Sequence, residues 1–580
     1  MHKCLGIHCG HNASAAVVVD GAVEGILQEE RLTRNKNQTG YPFASLDTLL
    51  GRGRGPRRDL AGIAFASSEV PSRYFYSALG LRARLRDVYH NLRRDLRARA
   101  RGVAWRKEKL VHLEHVQRVL HGRGRVVAEA FDAETFYRRN DLPRVPVHFA
   151  GHHRAHAETA YYFSGFDRCL VVTADGAGDG QSHVSWEGTP TGLRPLAETP
   201  QAASPGYFYG DVTVVLGFQM MRHEGKVTGL AAFGDPGRLY EAMRKAFRLG
   251  PDGTRFVNDF EDDVRRRRPY LAELAGRFSR EDVSAAAQQA LEDPIVEHVR
   301  RMVAKTGLRR VALSGGVFAN VKLNQRVMEL PEVEEIFVFP GMGDEGLSVG
   351  AVLTTLRDQC PAAYRPHRLA DVYWGPAFDA AAIESALKRS GQRYARMTEE
   401  ERPGRVAALL QQGKIVGLFQ GRMEFGPRAL GHRSILASPK DKSINDWLNR
   451  RLDRSEFMPF APSALAEFGE SLFHNYTKGA STARFMTVTY TVRDEWVDKI
   501  PAVVHVDQTC RPQMVHRSEN ARYYDILQAY YDLTGLPLVL NTSFNVHEEP
   551  IICRPEEALR ALREERIDVL VLEDYLVERR

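Results

Sequence analysis

The sequence predicts an α/β protein of two domains. Three observations carry that prediction. The chain has 580 residues, more than one compact core accommodates. Short β-rich runs end repeatedly in glycine and acid, with helical patterns after them. A stretch holding three prolines, residues 361–376, interrupts the periodicity. Strands that end in small and acidic residues are how α/β sheets offer ligands the ends of their strands.

The elements follow in order. "GIHCGHNAS" reads as a strand and then a polar loop of small residues, which lets a ligand approach the backbone. "SAAVVVDGAVEGILQEE" (14–30) reads as a hairpin, because Asp20-Gly21 supplies the positive φ angles of a tight turn between two β-rich runs. The strand-and-loop pattern returns in "RCLVVTADGAGDG" (168–180). It returns with a helix after it in "RRVALSGGVFANVKLNQRV" (309–327) and "EEIFVFPGMGDEGLSVGAVLTTLRD" (334–358). The proline-rich break divides the chain into residues 1–362 and 363–580. Beyond it, "KIVGLF" (414–419) and "GLPLVLNTSFN" (535–545) are the clearest strands of a second α/β unit. No short-period repeat is visible.

Composition narrows the classes. With 43% hydrophobic and 26% charged residues, the chain should fold rather than remain disordered. Much of the +7 net charge sits in the arginine-rich run 81–110, whose roughly helical spacing reads as a solvated face; a nucleic-acid groove is disfavoured for want of an aromatic stacking pattern. Six cysteines without a CxxC pair argue against zinc knuckles and disulfide frameworks. The N-terminus lacks a long apolar signal region, and no apolar run approaches the eighteen or so residues that span a bilayer. A soluble, cytoplasmic protein is expected.

Two kinds of chemistry are written into the strand ends. In "GHHRAHAETAYYFSGF" (151–166), His152 and His156 stand four apart and share one helix face, so both can point at one ion. Asp344 in "GMGDEG" is the candidate third ligand, and Asp175 at the end of "LVVTADG" offers a second carboxylate. Gly341, Gly343 and Gly346 match G-x-G-x-x-G, but Asp344 and Glu345 would repel a pyrophosphate. Two imidazoles with carboxylate suit Fe(II), Mn(II) or Zn(II). There is no Walker A motif. Gly315 and Gly316 at a strand-to-helix junction could hold phosphate with free amides, or form a tight turn. Arg422, Arg428 and Arg433 crowd "QGRMEFGPRALGHRSILASP"; with Arg454, Arg511, Ser543 and Asn545 they suggest a cradle for a phosphorylated ligand.

At this point the motifs carry a resemblance. "GHNASAAVVVDG", "EERLTRNK", "HHRAHAETAYY", "ADGAGDG", "HEGKVTGLAAFG", "SGGVFANVKLNQ", "GMGDEG", "QGRMEFGPRALGHRSILASP", "FMPFAP", "HVDQTCRPQMV" and "LNTSFN" resemble, in order, the series of the nodulation-protein-U and tobramycin O-carbamoyltransferase family. The likeness spans nearly the whole chain. It implies an N-terminal actin-like ATPase-fold domain and a C-terminal YrdC-like domain. It implies a metal, iron(II) ahead of manganese or zinc, on His152, His156 and Asp344. In that family carbamoyl phosphate and ATP, with its Mg2+, give carbamoyl-adenylate and pyrophosphate in the YrdC-like domain. The carbamoyl group then passes to an acceptor hydroxyl at the metal-bearing domain, and AMP leaves.

On this resemblance His11 takes the acceptor's proton, and Lys36 and Asp175 lie near the carbamoyl and acceptor groups. Gly176, Glu224, Lys226, Gly315, Gly316 and Asn320 match nucleotide-binding positions, as do the arginines with Ser543 and Asn545. One stretch departs from the pattern: YrdC-type domains favour K-x-R, and here Leu452-Asp453-Arg454 follows Arg451. The expected acceptor is a small-molecule hydroxyl, of a natural product or sugar, and a homodimer is left open. The alternatives are a tRNA or protein acceptor, or a nucleotide-binding module without turnover.

Overall fold

A computed structural model describes residues 2–51, 59–66, 69–71, 74, 110–112, 131–237, 239–453 and 459–579. The arginine-rich run lies outside these residues apart from residue 110, and so does Arg454.

The first sheet contains β1 (Lys3–His8), β2 (Ser14–Val19), β3 (Ala22–Gln28), β4 (Gly62–Ala66) and β5 (Val147–Ala150), in the order β3-β2-β1-β4-β5. The expected hairpin is β2 and β3. Asp20 and Gly21 both have positive φ, 48° and 88°, which matches the right-handed twist of the strands they join. After β5 comes helix α1 (His152–Ser164). The second sheet contains β6 (Cys169–Gly178), β7 (Gln181–Thr189), β8 (Gly192–Pro200), β9 (Arg310–Ser314) and β10 (Glu335–Val338), in the order β8-β7-β6-β9-β10.

The two sheets repeat one plan. In each, the first three strands form an antiparallel meander and the last two run parallel to the first. This duplicated order is the actin-like ATPase-fold arrangement expected of the N-terminal part. Between β8 and β9 lie helices α2 (Glu224–Ala231) and α3 (Arg280–Thr306), and α4 (Leu347–Gln359) follows β10.

The helices that end the two halves are exchanged. Helix α1, at the end of the first half, packs on β6 and β9 of the second sheet. Helix α4, at the end of the second, packs on β1, β4 and β2 of the first. They also pack on each other. Gly350 of α4 lies so close to α1 that a β-carbon there would run into the Ala155 carbonyl. The starts of both helices are thereby brought together between the halves.

The described residues beyond α4 are built around an eight-stranded mixed sheet, the α/β body expected of the C-terminal half. Its strands are β11 (Arg393–Arg396), β12 (Val416–Phe419), β13 (Arg433–Ala437), β14 (Ala461–Leu465), β15 (Gln513–Val515), β16 (Leu538–Ser543), β17 (Val569–Leu572) and β18 (Tyr575–Glu578), in the order β11-β18-β17-β12-β13-β16-β14-β15. One apolar cluster runs from the second sheet (Leu170, Val311, Val338) into this body (Val416, Leu538, Val571). Burial of such a continuous apolar surface, favourable by about 25 cal/mol per Å², joins the bodies as well as filling each. Among the described residues no helix is long and apolar enough to cross a membrane.

Candidate active site

The exchanged helices assemble a cage. His152 opens α1, and its backbone N–H donates to Asp179 Oδ2 at 2.7 Å. His156 lies one turn on; its Nδ1 pairs with Ser314 Oγ at 3.2 Å, which leaves Nε2 facing Asp175 and Asp344. Asp175 comes from β6 and Asp344 from the turn just before α4. His156 Nε2 stands 3.1 Å from Asp175 Oδ2 and 3.5 Å from Asp344 Oδ1, and His152 Nε2 stands 3.7 Å from each of those oxygens.

These four side chains meet the demands of a divalent cation. Their ligand atoms all lie within 4.8 Å of one another. Donors bound at about 2.1 Å to one ion stand roughly 3.0–3.4 Å apart in octahedral or tetrahedral geometry, close to the spacing found. Both imidazole Nε2 atoms and Asp344 Oδ1 are buried with no hydrogen-bond partner, a state native interiors avoid unless an ion or proton completes it. Burial opposes protonation of His152, but Asp344 and Asp175 outweigh it and pull its pKa up to about 9. Burial likewise disfavours charge on Asp175, yet the two imidazoles hold its carboxyl well below the usual range. A cage that stabilises a proton this strongly is built for positive charge. Two nitrogens and two carboxylates suit iron, manganese or zinc alike.

The cage opens on a cavity of about 480 Å³, within the range of small-molecule sites. His11, Lys36, Asp175, Gly176, Glu224, Lys226, Gly316, Asn320, Arg428 and Asp344 all line it. A second cavity of about 270 Å³ takes in Arg511, Ser543 and Asn545 from the C-terminal body. The two share Lys36, Arg428, His547 and Glu548 as wall residues, so they are neighbouring chambers across the seam between the bodies.

Several predicted residues do other work. Arg433 does not face either chamber. It is fully buried, donates to the carbonyls of Gln420, His432, Gly421 and Pro376 at 2.8–3.3 Å, and lies over the Phe419 ring. Arg422 donates to the carbonyls of Gly375, Trp374 and Glu24 at 2.6–3.1 Å, a strap between the bodies. Both guanidiniums satisfy backbone carbonyls, so the arginine cradle reduces among the described residues to Arg428 and Arg511.

The glycine pair is corrected too: its amides are not free. Gly315 N–H donates to Met342 O at 2.7 Å and Gly316 N–H to Asp175 Oδ2 at 3.1 Å. Gly315 has φ 106°, and a β-carbon there would run into the Ala174 carbonyl. The pair's role is to hold Asp175. Asn320 exchanges hydrogen bonds with Gln288 at 2.9 and 3.0 Å and caps the helix after it.

Sequence reasoning missed three contributors. His8 at the end of β1 donates Nε2–H to His11 O at 2.9 Å and sits 3.9 Å from Asp344. Gly178 backs the His152 ring so closely that a β-carbon would overlap it. Glu158, on the far face of α1, is buried against Arg357 and Tyr364 at 2.7–3.0 Å and anchors the ligand helix. Only the histidine carried a signal, as a polar residue at a strand end.

A duplicated actin-like body holding a buried cluster of two histidines and two aspartates, opening through adjoining chambers onto a second α/β body, defines a two-chamber protein. The chain belongs to the carbamoyltransferase family: the model of the carbamoyltransferase N-terminus matches residues 3–353 and that of the C-terminus residues 407–579. It is 32% identical to an uncharacterized protein of Synechocystis sp. over 100% of this chain and 97% of that protein. It is 32% identical to the nodulation protein NolNO of Sinorhizobium fredii, over 98% and 79%. Among solved structures, component A of (R)-2-hydroxyglutaryl-CoA dehydratase from Acidaminococcus fermentans aligns over 60% of this chain and 96% of its own, at 12% identity and a TM-score of 0.32, a likeness too loose to speak to activity.

Proposed function

We propose that the protein is an ATP-dependent O-carbamoyltransferase. Residues 363–580 would be a YrdC-like body in which carbamoyl phosphate, water and ATP give carbamoyl-adenylate, pyrophosphate and inorganic phosphate. Residues 1–362 would transfer the carbamoyl group to a hydroxyl of a small natural product or sugar, releasing AMP. The observation that carries this reading is the shared wall of the two chambers: one holds the cage and His11, the other Arg511, Ser543 and Asn545, and Lys36 and Arg428 face both.

The roles follow from chemistry. Arg428 and Arg511 offer bidentate forks to the reacting phosphates. Lys36, facing both chambers, compensates the charge of the intermediate between them. His11 takes the proton from the acceptor hydroxyl, a contribution of about 10²–10⁴-fold for a placed base; the bond from His8 to its carbonyl fixes its loop. A divalent cation held by His152, His156, Asp175 and Asp344 would supply Lewis-acid stabilisation of the departing AMP. Six cysteines outside any disulfide suit a cytoplasmic, reducing compartment.

The test is a two-stage assay on purified, Fe(II)-loaded protein. With ATP and carbamoyl phosphate alone, radiolabelled ATP should yield pyrophosphate and carbamoyl-adenylate. Adding a panel of hydroxyl compounds should give a product heavier by one carbamoyl group. Absence of pyrophosphate release by well-folded, metal-loaded enzyme removes the reading.

A further inference from the structure

A second group of histidines and an acid lies in the chamber wall, and its chemistry is the reverse of the cage. Arg222 Nη1 donates to Glu548 Oε2 at 2.7 Å, and His223 Nε2 donates to Glu548 Oε1 at 2.8 Å. His547 Nε2 lies 3.5 Å from the same Oε1. Lys36 adds positive charge, and the carboxyl of Glu548 is held down at about 2 despite its burial, by His223, Lys36 and Arg222 together.

This group is no metal site. Gln219 N–H donates to His223 Nδ1 at 3.2 Å, so Nδ1 accepts and the ring donates to Glu548 through Nε2–H. A nitrogen that donates has no lone pair for a cation, and Arg222 would repel one. In the cage both Nε2 atoms lack a partner; here the donors already converge on an anion, and that anion is the chain's own side chain.

Two features mark Glu548 as a removable occupant. It sits at φ 61°, a left-handed conformation that costs a non-glycine residue steric strain. The turn holding it is stapled by Asn545 Nδ2 to the carbonyls of Val546 and Glu549, both at 2.9 Å. It also lies across the seam: Arg222 and His223 precede the proline-rich break, Glu548 follows it, and Glu548 walls both chambers. Carboxylate and phosphate accept from the same arginine fork, and phosphate brings more oxygens and more charge.

We infer that Arg222 and His223 form a phosphoryl-binding site, occupied by the Glu548 carboxylate until a phosphate-bearing ligand displaces it. Its use in passing a nucleotide between the chambers rests on the reaction proposed above; the site itself does not. Displacement releases the strained turn and leaves the phosphoryl group paired with donors at the seam.

The experiment is calorimetric titration of the full-length protein with pyrophosphate at fixed ionic strength. Glu548→Gln keeps the size of the side chain and removes its charge, and should tighten binding at least fivefold. Adding Arg222→Met to Glu548→Gln should erase that gain. In the wild-type protein, saturating pyrophosphate should speed hydrogen exchange at the amides of residues 546–549. No gain in Glu548→Gln, a gain that survives Arg222→Met, or unchanged exchange in the wild type would each overturn the site. Protein that makes no carbamoyl-adenylate but shows the gain would lose the proposed reaction and keep the site.

Discussion

The two halves of the N-terminal body share a strand order and share nothing of their chemistry. In the first half β1 ends in His8 and the loop carrying His11; in the second, the matching strand β6 carries Asp175. The exchanged helix of the first half starts with His152 and His156, and that of the second is preceded by Asp344 and Glu345. The repeated strand order places two equivalent helix starts side by side, one bearing nitrogen donors and the other oxygen donors. Neither half could build the cage alone. The mixed donor set is a property of the seam.

The largest effect should come from breaking the nitrogen side. His156→Ala removes one of the four proposed ligands, and metal affinity should fall on the order of a thousandfold, about 4 kcal/mol. Elemental analysis after dialysis against a metal buffer reads this directly. On the proposed scheme carbamoyl-adenylate formation should survive while transfer stops, and loss of both together would contradict separate chambers.

Acid should separate the halves next. In the second half His298 donates Nδ1–H to Gly253 O at 3.0 Å, Ser185 donates to His298 Nε2 at 2.7 Å, and His183 donates to Ser185 at 2.9 Å. Both rings are fixed neutral, and burial lowers His298 to about 4. Between pH 6.5 and 4 the unfolded chain binds the proton that the folded one refuses, so stability falls as pH falls, by on the order of 3 kcal/mol for His298 alone. Hydrogen exchange at pH 5 against pH 7 should show β7 and α3 losing more protection than β1–β3. Equal losses would break the contrast.

A smaller and more local effect sharpens the dependence of one half on the other. Gly178, at the end of β6 in the second half, backs the ring of His152 from the first. Gly178→Ala should push that ring off its line and weaken metal binding about tenfold, the scale on which residues supporting a ligand act. Thermal stability should move by less than the metal affinity does, and an unchanged metal affinity would show that the ring has room.

Much of this was legible beforehand, for reasons tied to particular residues. The hairpin was legible because Asp20-Gly21 is a local steric statement. The shared face of His152 and His156 was legible because a four-residue interval on a helix is itself geometry. Arg422 and Arg433 were misread for a physical reason. A cluster of guanidiniums reads as a phosphate cradle only while nothing else accepts from it, and here backbone carbonyls from 376, 420 and 421 close around Arg433. The pair Gly315-Gly316 misled in the same way, since Asp175, distant in sequence, takes one of its amides. The duplication left no trace as a repeat because pairing order is a relation among strands, and unlike side chains satisfy the same order.

By itself the sequence determined the α/β class, the turn chemistry, the strand-end positions of the polar residues and the shared helix face of His152 and His156. These depend on periodicity and sterics over a few residues. The tertiary structure alone decided that α1 and α4 exchange sheets, that Asp175 and Asp344 meet the two imidazoles, and that Glu548 answers Arg222 and His223 across the seam. Such contacts join residues tens to hundreds of positions apart, and which of many chemically suitable partners a side chain meets is settled by how the whole apolar core packs.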